Sequence, residues 1–237
     1  MIEKDLIILI ITGIGIGSSL MGVSTSIIFS PLILTAYGSK YGNGIMLIPY
    51  FFADLYVTYK YRNLFDLKST LKLIPFSLIG MFIATFLVHI ISEDLFQKIL
   101  GALILLTSLL FFIKKYEKYF IKFGWLFGIV GGLSSYMANI SGPIFNIYFL
   151  SFDQDPKYFI GNRALFFSLL NFFKLFLYIF IYKNINASTL KLSLFVIPFI
   201  FVGIFLTNIF MSKISSKHFS QIVIYISILI AIFLIIK

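Results

Sequence analysis

Residues 123–151 read FGWLFGIVGGLSSYMANISGPIFNIYFLS, and the fold turns on what an uncharged run of that length can do. As one α-helix rising 1.5 Å per residue it would extend about 43 Å, well past the ~30 Å hydrocarbon core of a bilayer. Glycines recur through its first half and Pro143 interrupts its second. The economical reading is a helix broken inside the membrane or folded back as a re-entrant hairpin. Residues 6–38, LIILIITGIGIGSSLMGVSTSIIFSPLILTAYG, have the same character, with glycine clusters, Pro31 and a continuous length of about 50 Å. Unwound backbone within a membrane is tolerated only where protein or a watery cavity surrounds it. Function is therefore expected at these two stretches.

The rest of the chain supports a membrane setting. Of 237 residues, 60% are hydrophobic and 12% charged, with a mean hydropathy of +1.03. A soluble protein carries roughly a quarter charged residues, so a soluble globular domain is excluded. Uncharged or nearly uncharged runs fall at 6–38, 44–59, 71–91, 99–113, 123–151, 164–182, 192–211 and 219–236. The expected fold is an all-α polytopic membrane protein of about eight transmembrane segments. The net charge of +10 comes from short basic clusters between apolar runs, a pattern of membrane topology signals rather than a nucleic-acid-binding face. Residues Met1 to Asp5 carry Glu3 and Asp5 beside Lys4, unlike the basic front end of a cleavable signal peptide, so the run that follows is expected to be the first membrane segment.

Several chemistries find no support. The absence of Cys rules out disulfides, thiolate metal sites and a cysteine nucleophile. His89 and His218 lie far apart near segment ends and offer no metal-ligand spacing. The chain lacks HExxH, a Walker loop and a GxSxG elbow. Gly13-Ile-Gly15-Ile-Gly17 is superficially like a dinucleotide loop, but no strand precedes it and no βαβ unit follows. An enzyme is not expected, nor is a cofactor or metal.

The two halves match one another. With a shift of 119, Gly42-Asn43 falls on Gly161-Asn162, Tyr59 on Tyr178 and residues 69–73 (STLKL) on 188–192 (STLKL). With a shift of 123, Pro75, Gly80, Phe82, Ile91, Ser92, Phe96 and Ile99 match Pro198, Gly203, Phe205, Ile214, Ser215, Phe219 and Ile222. Shared punctuation of this kind indicates duplication of a four-segment unit, with one membrane domain over 1–237 and repeats at 5–115 and 122–237. Secondary transporters often use duplicated halves, placing substrate near the midplane at discontinuous helices. Basic residues divide 12 inside against 6 outside whether each long run crosses once or turns back. The positive-inside rule puts the 60–72 and 114–122 loops in the cytoplasm but leaves parallel and inverted repeats both open. Oligomeric state is open too, a homo-oligomer included.

Two charges interrupt apolar runs. Lys174 sits in LLNFFKLFLYIF and Asp54 in PYFFADLYVTY; each costs roughly 2.5–3.5 kcal/mol at mid-helix, so each needs a partner or a wet cavity. At 100° per residue, Arg163, Asn171, Lys174 and Tyr178 share an arc of about 80°, as do Tyr50, Asp54, Thr58 and Tyr61. Under the 119 shift Lys174 lands on Leu55, beside Asp54. Two readings stand. Asp54 and Lys174 form an ion pair that holds the bundle, or Lys174 and Asn171 coordinate an anionic substrate while Asp54 tunes the charge or carries a coupled proton.

Gly13/Gly17 and Gly124/Gly128/Gly132 recur every four residues and suit close helix packing. Packing does not account for Gly22, Ser24, Thr25 and Ser26 before Pro31, or for Ser134, Ser135, Asn139, Ser141 and Gly142 before Pro143. Small hydroxyls, an amide and a loosened backbone leave N–H groups at a helix start, where partial positive charge binds anions. Gly22, Pro31, Gly142 and Pro143 are the expected helix breaks.

Met137 to Phe180, MANISGPIFNIYFLSFDQDPKYFIGNRALFFSLLNFFKLFLYIF, contains Gly142, Pro143, Tyr148, Lys157, Phe159, Gly161, Asn171 and Lys174. In that order and spacing they resemble the second-repeat signature of the sulfite exporter TauE/SafE family of membrane permeases. The family's first-repeat GxGGG is here Gly22-Val23-Ser24-Thr25-Ser26, with Pro31 kept. The resemblance implies a secondary transporter without a bound cofactor, in a prokaryotic plasma membrane. Its substrates would be small sulfur-containing or organic anions such as sulfite, sulfonates or sulfoacetate. The leading expectation is export by alternating access; the alternatives are an anion channel or passive pore and a non-transporting membrane scaffold.

Overall fold

The computed structural model describes residues 2–19, 26–111, 121–151, 155–211 and 216–236. Among these lie ten helices and no strand: α1 (Ile2–Ser19), α2 (Ser26–Tyr37), α3 (Ser39–Lys60), α4 (Leu67–Leu87), α5 (Glu93–Phe111), α6 (Gly124–Ala138), α7 (Gly142–Leu150), α8 (Pro156–Phe180), α9 (Ala187–Met211) and α10 (Ser216–Ile236). Leu67–Leu87, Pro156–Phe180 and Ala187–Ile209 are long and apolar enough to cross a membrane, and Gln221–Ile236 is a shorter apolar stretch. Side chains such as Phe82, Phe86, Phe205 and Leu229 face outward. Polar residues, Asp54 and Lys174 among them, are buried. That inversion of the soluble pattern suits a helical bundle solvated by lipid.

Helix starts are set by short polar side chains. The carboxylate of Asp66 accepts from the backbone N–H of Lys68 and Ser69 ahead of α4, and Asp155 does the same for Lys157 and Tyr158 ahead of α8. Asn186 accepts from Ser188 and Thr189 to open α9. Each satisfies N–H groups that a helix start leaves without partners. The hydroxyl of Ser69 also donates to Asp66 and, with the backbone bonds, holds its carboxyl below the usual carboxylate range.

The long run at 123–151 is a hairpin. Gly124 faces the ring of Tyr148 and Gly131 faces that of Phe145, so numbers fall along α7 as they rise along α6. Asn139 makes the turn in the left-handed conformation (φ 55°). Pro143 sits in the first turn of α7, where its missing N–H costs nothing. In the first long run, Gly15 of α1 meets Phe29 of α2. The break there lies between Ser19 and Ser26, not at Pro31, which sits inside α2. Its missing N–H falls near the start of that short helix, where it removes only one intrahelical bond. Gly22, Ser24 and Thr25 lie outside the described residues. A single residue, Gly38 at φ 78°, joins α2 to α3; Gly adopts that conformation without strain.

Glycine joints lock the two halves together. Gly17 of α1 lies against Ile200 and Gly203 of α9, while Gly13 meets Val196 and Phe199. In the other half, Gly132 of α6 lies against Ser77 of α4, and Gly128 meets Leu73 and Phe76. Subtracting 123 from the α9 positions gives the α4 ones. A methyl on Gly80 would collide with the carbonyl of Ile129, and one on Gly203 with that of Ile14. The glycines expected to serve close packing thus do so, each hairpin against a helix of the opposite half.

Helices α3 and α8 cross at the centre and run antiparallel. Phe51 is near Phe172, Asn171 bonds Asp54, Thr58 bonds Ser168, and Gly161 touches Tyr61 and Leu64. Their register differs from the sequence match. Gly44 abuts the carbonyl of Asn184 as Gly161 abuts that of Leu64, a shift of 117. Every buried position of α3 then falls on a buried position of α8. The pairing of Gly42-Asn43 with Gly161-Asn162 would rotate the helix by two residues, about 200°, and turn the buried face outward. Lys174 corresponds to Val57, not Leu55, and Asp54 corresponds to Asn171.

A charged pocket where the two halves meet

On the antiparallel helices α3 and α8, Asp54 and Asn171 face one another. Asn171 Nδ2 donates to Asp54 Oδ2 at 2.9 Å. Around this pair the halves differ: where α3 carries Met46 and Val57, α8 carries Arg163 and Lys174. Asp54, Asn171, Lys174 and Arg163 are 4%, 3%, 2% and 6% exposed. With Tyr50, Ser135, Asn139, Ser141, Gly142 and Phe167 they line a cavity of about 30 Å³, enough by volume for a couple of water molecules.

The expected Asp54–Lys174 ion pair is not formed. Lys98 pairs with Asp94 on the exposed face of α5. Lys174 Nζ instead donates to Ser135 O and Oγ, both at 3.2 Å, and to Asn139 Oδ1 at 2.5 Å. Asn139 Nδ2 donates to Asn43 Oδ1 at 2.7 Å, and Asn43 Nδ2 to the carbonyl of Met137 at 3.2 Å. An ammonium only donates and a carbonyl only accepts, so both ends fix the direction of this relay. Arg163 Nε donates to Asn146 Oδ1 at 2.9 Å, and its guanidinium carbon lies 5.0 Å from the Phe167 ring centroid. Two cations and one acid thus surround the cavity, leaving a formal charge of +1 in a setting that amplifies it.

Beyond Lys174, toward the N-terminal end of α3, Tyr136, Tyr178 and Tyr182 form a triangle with ring centroids 5.4, 5.7 and 5.8 Å apart. Tyr178 Oη donates to the carbonyl of Tyr136 at 2.8 Å. Lys174 Nζ lies 5.7 Å from the Tyr178 ring and Lys40 Nζ 5.9 Å from that of Tyr182.

Of the residues singled out from sequence, Lys174, Asn171, Asn139, Ser141, Gly142 and Asp54 line this one cavity. Pro143 opens the helix behind Ser141 and Gly142. Ser26 begins α2 and Pro31 lies within it. Arg163, Tyr50, Ser135 and Phe167 complete the lining without having been chosen as site residues. Arg163 was legible as a member of the polar stripe with Asn171 and Lys174. Asn43 and Asn146 gave no signal, since their role depends on helices distant in sequence.

Packed hairpins, a lipid-facing exterior and a buried charged cavity define a multi-pass helical membrane protein of the permease class. The family profile described as Sulfite exporter TauE/SafE matches residues 7–234. The chain belongs to that family, whose members are transport proteins. No curated protein and no solved structure matches it.

Proposed function

We propose that this protein is a secondary transporter that exports small sulfur-containing or organic anions, such as sulfite or sulfonates, across a prokaryotic plasma membrane by alternating access. The observation that carries the reading is the cavity between α3 and α8, where Lys174 and Arg163 outnumber Asp54 and the ammonium of Lys174 is held by neutral acceptors. An anion would balance the excess charge. Asn139, Ser141 and Gly142 bring an amide, a hydroxyl and the start of α7 to the same space, and a helix start favours an anion. Asn171 holds the Asp54 carboxylate, which tunes the charge or takes a proton when an anion with more charge enters. Gly22, Ser24, Thr25 and Ser26, the small polar cluster of the first long run, are further candidates for contact with the anion.

The domain is one unit over 1–237 whose halves, 5–115 and 122–237, are inverted repeats. The eight expected segments are four per half, the first of each a hairpin of two helices. Support comes from the antiparallel crossing of α3 and α8, from the turning back of α6 and α7, and from the glycine joints made in both halves. Each half then reverses direction an odd number of times. The N-terminus lies outside, and the loops after α3 and α5 lie in the cytoplasm with the larger share of basic residues. The tyrosine triangle then lies on the outer side.

Reconstituted in liposomes, the protein should take up labelled sulfite saturably and show counterflow when loaded with unlabelled sulfite. A flux that neither saturates nor shows counterflow, or single-channel currents, would replace this reading with the passive pore. Sulfate, sulfonates and carboxylates as competitors identify the preferred anion.

A further inference from the structure

Asn139 and Asn43 join three parts of the molecule. Lys174 of α8 donates to Asn139 Oδ1, Asn139 Nδ2 donates to Asn43 Oδ1, and Asn43 Nδ2 donates to the carbonyl of Met137. Met137 and Asn139 belong to the tip of the second hairpin and Asn43 to α3, so the last two links hold the tip against α3. Three links need three donors. The ammonium and the two amides supply one each, and every link is made.

An anion changes that count. Ser135 O, Ser135 Oγ and Asn139 Oδ1 together occupy the N–H groups of the ammonium, so an anion that binds Lys174 displaces one of them. Where Asn139 is displaced, the relay lies between two acceptors, the anion and the Met137 carbonyl, and two amides cannot supply donors for three links. One link fails. With its amide turned over, Asn139 donates to the anion, and a bond to an ionised acceptor is roughly twice as strong as a neutral one. The failure therefore falls on Asn139–Asn43 or on Asn43–Met137, and each of these ties the tip to α3. Space calls for the same movement. The cavity of about 30 Å³ holds a couple of water molecules, sulfite is bulkier, and Asn139 is part of its wall.

We propose, resting on the reading of this pocket as an anion site, that Asn43 is a positioning residue that makes release of the hairpin tip depend on substrate. With the cavity empty, the Asn139–Asn43 relay latches the tip to α3; an anion that displaces Asn139 from Lys174 undoes the latch. Asn43, buried behind Asn139, acts without touching the anion. The empty protein then changes access slowly, and anion on the far side speeds the cycle.

Calorimetry first fixes a sulfite concentration at which the purified parent is occupied. Hydrogen exchange then follows the amides of Asn139 and Ile140, which donate to the carbonyls of Ser135 and Ser134. In the parent, sulfite raises their exchange by about threefold to tenfold, the worth of one ordinary hydrogen bond. Asn43→Ala shows raised exchange without sulfite and no further rise with it, while its sulfite Kd is no higher than the parent's. In proteoliposomes, sulfite loaded on the far side accelerates uptake several-fold by the parent and leaves uptake by Asn43→Ala unchanged. The proposal is overturned if sulfite slows exchange at the parent's tip or leaves it as it was, or if Asn43→Ala responds to sulfite as the parent does. The parent measurement needs no variant and decides even where Asn43→Ala does not fold. Parent protein that binds no sulfite would instead defeat the reading of the pocket itself.

Discussion

Helices α3 and α8 are the same helix twice in shape and two different helices in chemistry. Every position that α3 buries is buried in α8 as well, and both make the same close approach, Gly44 to Asn184 and Gly161 to Leu64. Where they face each other, one offers Asp54 and the other Asn171; one step away, Met46 and Val57 stand against Arg163 and Lys174. The two helices share a packing frame, and α8 alone carries the charges Arg163 and Lys174 at these places. The frame depends on packing, which tolerates almost nothing at a glycine joint. The chemistry depends on a few side chains that the frame holds out of water.

The comparison can be broken most strongly on its charged side. Lys174→Met should abolish anion flux in proteoliposomes while the protein still inserts, because it removes a buried cation and its hydrogen bonds to Ser135 and Asn139 on the hairpin. Flux at the parent rate would remove Lys174 from the mechanism. On the frame side, Gly80→Leu and Gly203→Leu press a side chain into the carbonyls of Ile129 and Ile14. Each should cost a few kcal/mol in unfolding. The two losses should be alike, and a large difference between them would show that the joints are not equivalent.

A subtler change makes the axis symmetric. Asp54→Asn places two amides opposite one another, and sulfite flux should fall several-fold and lose its dependence on pH. A flux that keeps the parent's pH profile would locate the titrating group elsewhere. The smallest effect separates two equivalent caps. Asp66→Ala and Asn186→Ala should each lower stability by about 1 kcal/mol. The contribution of Asp66 is also pH-dependent. Its carboxyl is held below its usual range, so its stabilisation is complete above the unfolded-state value and is lost as pH falls through the folded one. The effect of Asn186→Ala should not change over the same acid range, as denaturant melts at several pH values would show.

The register of α3 on α8 marks where linear pattern misled. Gly42-Asn43 and Gly161-Asn162 are identical pairs, yet the residues that occupy equivalent places are Gly44 and Gly161. Two residues is more than half a helical turn, and in a chain so uniformly apolar little in composition opposes that rotation. Burial opposes it, and burial is a property of the packed bundle. Arg163 shows a related limit. Near the start of its helix it looks like one more topology charge, and its place in the cavity follows from the length of its side chain and from Asn146, on a different helix.

Hydrophobic length and helix punctuation are local properties, so the chain alone determined that it is helical, that it belongs in lipid and that its two longest runs are interrupted. It also pointed to Lys174, Asn171, Asp54 and the turn at Asn139 to Gly142. Tertiary packing decided that α3 and α8 cross antiparallel, that Asp54 faces an amide and not an ammonium, and that Lys174 donates to the hairpin. Those outcomes depend on which helix lies opposite which at a distance of about 3 Å. No periodicity within a single segment carries that information.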